Sequence, residues 1–291
     1  MTKSKLSLKT LTKAALLFNF FVSTCAFLSI SGCQNQIECT YKEADIPSIV
    51  KQICKEEYNL DVTTKRTDTT LWIYAPLDKI LDKDYGVKED KIFDEEMTNK
   101  LRNILTTIGR VLISSNYTPE FFALVASDIK IGLDYTLIGN VLDIKKSYAG
   151  YIPWPEANRR YVIKFNLSPE AIGDTTGKHL AAYNLTLADF LAEQMAQRIG
   201  YQFQGEGRKK YFKLEKSEGK FLNGTFSLNY AIKQIAQPDR EIDMKKEVLD
   251  IITYCIKTYE FKAFTMLEVT DLVTQDKLVL SNAAIWTRPI Y

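Results

Sequence analysis

An α+β fold is predicted from three features of the 291-residue chain. Four segments carry apolar residues at helical spacing behind start signals. Each is followed by two strand-like runs around a short polar turn, so the order helix–strand–strand occurs four times. The composition, 46% hydrophobic and 25% charged, supports a buried core and excludes wholesale disorder.

The first helix is expected behind Asp45 at its N-cap, with Ile46, Ile49, Val50, Ile53 and Cys54 on one face. Strands at 60–65 and 70–75 flank Arg66-Thr67-Asp68-Thr69. The second helix follows Asp94 and carries Met97, Leu101, Ile104, Leu105, Ile108 and Leu112 as its stripe. Glu95 and Glu96 in its first turn suit the positive end of the helix dipole. Strands at 120–129 and 135–145 come next, turning near Gly132. Thr186 and Asp189 have capping-box spacing for a third helix through Leu187, Phe190, Leu191, Met195 and Ile199, stopped by Gly200. Strands at 209–215 and 221–232 flank Ser217-Glu218-Gly219. A fourth helix after Pro238-Asp239 aligns Met244, Val248, Ile251, Ile252, Cys255 and Tyr259, ahead of strands at 260–271 and 277–286. The second and fourth hairpins echo each other: Ser127-Asp128 with Asn140, Thr270-Asp271 with Asn282. Two duplicated αββαββ halves, 41–147 and 183–291, are therefore expected, each an antiparallel sheet with helices on one face.

The amino terminus is read separately. Lys3, Lys5, Lys9 and Lys13 precede an apolar stretch from Ala14 to Ile30 that Asn19, Ser23 and Thr24 interrupt. It is too short and impure for a spanning helix, which needs about 20 mostly apolar residues, and fits a secretory leader. Ile30-Ser31-Gly32-Cys33 resembles the lipobox of bacterial lipoproteins. That resemblance implies a signal peptide over 1–32, cleavage between Gly32 and Cys33, a diacylglycerol thioether on Cys33, and acylation of the new amino terminus, as by palmitate. The covalent lipid is the one prosthetic group expected, with no other cofactor and no metal. The membrane is then the first partner, through the anchor, with 33–40 as a short tether. Gln34 stands where aspartate would favour inner-membrane retention in enteric bacteria. An exported protein on the outer membrane is expected in a cell with two membranes, and otherwise on the outer face of the cytoplasmic membrane. Without the leader's four lysines, 38 bases against 36 acids become 34 against 36. That near balance excludes a nucleic-acid binder relying on bulk charge.

Between the halves, 148–182 forms an aromatic connector with one strand, in which Tyr161, Ile163, Phe165 and Leu167 alternate. Tyr148, Tyr151 and Trp154 are the candidate partner-contact residues, either exposed as a contact surface or pocket wall, or plugging the seam between the halves. Catalytic signals are thin. The single histidine, His179, is expected to be a solvent-exposed loop residue. Gly173–His179 departs from a phosphate loop in spacing, and Asp82-Lys83-Asp84-Tyr85-Gly86 departs from a calcium loop and reads as a surface turn. Ser127 and Lys130 have Ser-x-x-Lys spacing but fall on a strand, which sends alternate side chains to opposite faces. After Cys33, Cys39, Cys54 and Cys255 remain; Cys39 and Cys54 could pair, while Cys54 and Cys255 fall on apolar stripes.

The expected protein is a membrane-anchored cell-envelope lipoprotein with no catalytic residues, a binding or assembly body for an envelope protein or glycan. The alternatives are an envelope hydrolase with a carboxylate or serine site, and a small-ligand carrier with a pocket between the halves.

Overall fold

The computed structural model describes residues 40–82, 92–115, 119–205 and 207–289. The leader, Gly32, Cys33, Cys39, nearly all of the tether and most of the 82–86 turn lie outside the described residues. The α+β class and the αββ order hold throughout. Helix α1 (Ile46–Tyr58) leads into hairpin β1 (Thr63–Thr67) and β2 (Thr70–Leu77). Helix α2 (Glu95–Ile113) leads into β3 (Phe121–Asp128) and β4 (Leu133–Asn140). The second half repeats this with α5 (Leu187–Gln204), β6 (Phe212–Leu222), β7 (Thr225–Gln234), α6 (Met244–Thr258), β8 (Met266–Asp271) and β9 (Lys277–Ser281).

Both sheets are mixed, which corrects the antiparallel expectation. Their orders are β1-β2-β3-β4 plus one more strand, and β6-β7-β8-β9. The hairpins pair antiparallel, whereas β2 pairs β3 and β7 pairs β8 in parallel. The cause is connectivity: a helix between two neighbouring strands returns the chain to the end where it started, so the next strand runs the same way. The echoed residues share a role at one point. Asp128 accepts from the N–H groups of Lys130 and Ile131, and Asp271 from those of Val273 and Thr274, each closing the turn after its sheet's third strand.

The connector belongs to the first sheet. Helices α3 (Val141–Tyr148) and α4 (Trp154–Arg160) precede β5 (Val162–Leu167), which pairs antiparallel with β4 as the fifth strand. Strand β4 ends earlier than expected because Asn140 accepts from the N–H of Leu142 and caps α3. Likewise Ser281 caps α7 (Asn282–Thr287), where a strand was expected to run on. The turn between β6 and β7 is Asn223-Gly224, both at positive φ, rather than Ser217–Gly219, which lie within β6. Helix α5 passes Gly200 and ends before Gly205, because its last turn buries Phe203 in the second core.

The first sheet is covered on both faces. Helices α1 and α2 bury Val50, Cys54, Ile104 and Ile108 on one side, while Ile49 and Ile53 are only partly buried. On the other side, Trp72, Tyr74, Phe121 and Val125 lie beneath Leu180, Leu185 and Phe190. The expectation that helices cover one face and leave the other to solvent is therefore corrected for this sheet. The indole N–H of Trp72 donates to the Tyr183 carbonyl at 2.9 Å, and the N–H of Leu185 to Thr70 Oγ1 at 2.9 Å. The second sheet packs α5 and α6 on one side through Leu191, Met195, Val248, Ile252 and Cys255, with Ile251 partly buried. Alternation along β7 and β9 leaves its other side largely to solvent.

Candidate functional site

Helix α2 buries one stripe in the first core, and Leu105 packs at its edge, only partly buried. There Met97, Leu101 and Leu105 face Tyr135 and Leu137 of β4, Ile144 and Tyr148 of α3, and Trp154 of α4. Together they line an open groove of about 520 Å³, within the range of small-ligand sites. Phe93 and Tyr161 complete the apolar surface, and Thr98, Arg102, Thr106 and Asn158 supply its polar groups.

The aromatic wall is held in place by packing. Tyr148 and Trp154 meet edge to face, 5.2 Å between centroids at 82°. The Tyr148 ring approaches α2 at Gly109, where a Cβ would stand 2.9 Å from it. Trp154 opens α4 with Pro155 behind it, the position where a missing N–H is harmless. Phe93, Tyr135 and Phe165 form a second aromatic group at centroid separations of 5.3 to 5.9 Å. Burial pushes the Tyr135 and Tyr161 hydroxyls up to about 12, so both are neutral donors at any physiological pH.

Of the three candidate contact residues, the structure brings two together. Tyr148 and Trp154 are 47% and 50% exposed and form one wall of the groove, whereas Tyr151 is 81% exposed and does not line it. None of them plugs the seam between the halves. That seam is polar. Arg160 donates to Asp143 at 2.8 Å and to Glu156 at 3.0 Å. Tyr254 donates to Glu156 at 2.7 Å, Arg198 also pairs with Glu156, and Tyr259 donates to Asp143. Gln194 donates to the Arg160 carbonyl at 2.7 Å. Burial works against the charge on Glu156, yet the Tyr254 hydroxyl, Arg160 and Arg198 together hold its carboxyl below the usual range.

His179 corrects the expectation of an exposed loop residue: its side chain is 6% exposed. Its Nδ1 lies 2.8 Å from Asp174 Oδ2 and its Nε2 3.3 Å from Asp134 Oδ2. Ser127 donates to the other oxygen of Asp134, and Tyr74 donates to the Asp174 carbonyl. Both imidazole nitrogens face carboxylates, so neither is placed to take a proton from Ser127. The cluster fastens the connector to the outer face of the first sheet. Lys130 is exposed and pairs with Asp78 at 3.3 Å, far from any role beside Ser127. Cys54 and Cys255 are buried free thiols; burial pushes Cys255 up to about 12, which makes it inert. Among the described residues no three His, Cys, Asp or Glu side chains are grouped to hold a metal, and no helix is long and apolar enough to cross a membrane.

Fold and groove together define a mixed-sheet α+β body with a ligand-sized, aromatic-walled apolar site. Comparison with protein-family models, curated proteins and solved structures finds no match to this chain. The groove's α2 side was hidden in the sequence, where Met97, Leu101 and Leu105 read only as core. Of the seam residues, only Glu156 and Arg160 carried a spacing signal, the i,i+4 pair on a short helix, and Asp143 carried none.

Proposed function

We propose that this chain is a lipid-anchored bacterial envelope protein whose folded body binds an apolar ligand without transforming it. The anchor rests on Ile30-Ser31-Gly32-Cys33 and the lysine-led apolar segment before it. The binding role rests on one observation: Tyr148 and Trp154, half exposed, stand over an apolar floor with room for a small ligand. Aromatic side chains of this kind supply large contact area at low entropic cost. The groove lies between the first half and the connector, not between halves as a carrier was expected to have it. The hydrolase alternative draws nothing from the Ser127–Asp134–His179–Asp174 chain, whose donors and acceptors are satisfied among themselves.

The test uses the full chain in zwitterionic lipid nanodiscs and a neutral photoreactive probe, a diazirine-bearing dodecanol. Saturable labelling of Met97, Leu101, Leu105 or Trp154 is expected. Tyr148→Ser with Trp154→Ala should cut it at least about tenfold, measured at a temperature where the variant's unfolding curve shows it folded. Label confined to residues outside the groove would overturn the binding role. For the anchor, mass spectrometry of the protein from its own cells should find the diacylglycerol thioether on Cys33, and an unmodified Cys33 would overturn it.

A further inference from the structure

We propose that the groove selects a single-chain amphiphile with an anionic head, its alkyl chain on the apolar floor and its carboxylate or phosphate on Arg102. This deepens the binding role proposed above and rests on it. The first observation is charge. Among the described residues lining the groove, Arg102 alone carries one, and no carboxylate is among them. The second is that Arg102 has no counterion among the described residues. Its guanidinium makes one hydrogen bond, Nη1 to Asn99 Oδ1 at 3.1 Å. Arg66, Arg110, Arg160, Arg198, Arg208 and Arg288 are each paired with a carboxylate; Arg159 and Arg240 share Arg102's lack of an ion pair among the described residues, but neither lines the groove. An arginine left with most of its planar donors unused beside an apolar surface suits a carboxylate or phosphate, which it can grip with two parallel bonds.

The rest of the lining agrees. Thr98 and Thr106 turn their hydroxyls back to the carbonyls of Asp94 and Arg102, so they present methyl groups rather than competing donors. Asn158, exposed on α4, adds amide donors on the connector side. A volume of about 520 Å³ equals roughly seventeen water-sized units at about 30 Å³ each, the room of one medium alkyl chain. A neutral alkane would leave Arg102 unused, and a cationic head would be repelled by it.

The experiment keeps the full chain in zwitterionic nanodiscs and the same photolabelled sites, now with a diazirine-bearing dodecanoate. Unlabelled dodecanoate, dodecyl phosphate, dodecanol and dodecyltrimethylammonium compete in separate arms. The anions should compete at least about tenfold better than the alcohol, and the ammonium least well. Preference for phosphate over carboxylate would point to a phospholipid-type head and the reverse to a free acyl acid; either supports the proposal. Shortening the chain by two methylenes should weaken competition roughly tenfold. Arg102→Ala should bring dodecanoate down to the level of dodecanol, and Arg102→Lys should keep part of the preference. Arg102 is exposed, so unchanged melting of both variants checks the fold. Equal competition by anion and alcohol in the wild type, or an anion preference that survives Arg102→Ala, would overturn the anionic head while leaving the groove's binding role standing. Absence of groove labelling by every alkyl probe would overturn both.

Discussion

The Asp174 carboxylate accepts from the backbone N–H groups of Thr176, Gly177 and His179, from the Thr176 hydroxyl and from the His179 ring. Burial alone would raise its pKa, but His179 and Thr176 outweigh it and hold the carboxyl well below the usual range. A carboxyl depressed by folding stabilises fully above its unfolded value of about 3.9 and loses that contribution as pH falls below it. Asp174→Asn is therefore expected to cost about 2–4 kcal/mol near neutral pH, with the gap to wild type closing below about pH 4. Urea melts across that range check it; a gap independent of pH would mean the carboxylate's charge is not what holds the loop. Nothing in the sequence pointed here. His179 meets Asp134 from 45 residues away across the sheet, and no local pattern encodes such a meeting.

At the scale of elements, the sequence was most legible where local chemistry decides. The alternation of Ile163, Phe165 and Leu167 became β5, which starts one residue after Tyr161, and Asp94 and Thr186 cap α2 and α5 as their positions suggested. It was least legible where glycine's role depends on neighbours. Gly200 looked like a helix stop, yet it lies inside α5, where a Cβ would meet Leu214 at an ordinary 3.4 Å. Gly219 looked like a turn, yet it lies in β6 against α5, where a Cβ would fall 1.9 Å from the Ala192 carbonyl oxygen. Gly200→Ala should accordingly stabilise by about 0.5–1 kcal/mol, while Gly219→Ala should destabilise by about 2–3 kcal/mol or more. Equilibrium unfolding of both variants tests this pair. A destabilising Gly200→Ala would mean that the Leu214 contact leaves no room for the added methyl.

Across the whole molecule, two topologically alike sheets meet through α5, which gives Phe190 to the first and Leu191 and Met195 to the second. The polar seam around Arg160 and Asp143 sits beside it, largely buried. Breaking a buried pair leaves an uncompensated charge, so Arg160→Ala should cost about 3–5 kcal/mol, read from denaturant unfolding. The periodicity of the sequence was enough for the αββ order but not for strand direction, because a helical crossover and a hairpin leave the same alternation in the strands they join. The groove was half legible for a similar reason. Tyr148 and Trp154 stood out by residue type, while α2's contribution depends on which edge of its stripe the connector leaves uncovered. The most direct measurement is hydrogen–deuterium exchange of the full chain in nanodiscs with and without saturating dodecanoate. Binding in the groove predicts added protection confined to α2 around 97–106 and to the α3–α4 segment around 144–161; no added protection there, or protection centred on the second sheet, would contradict it.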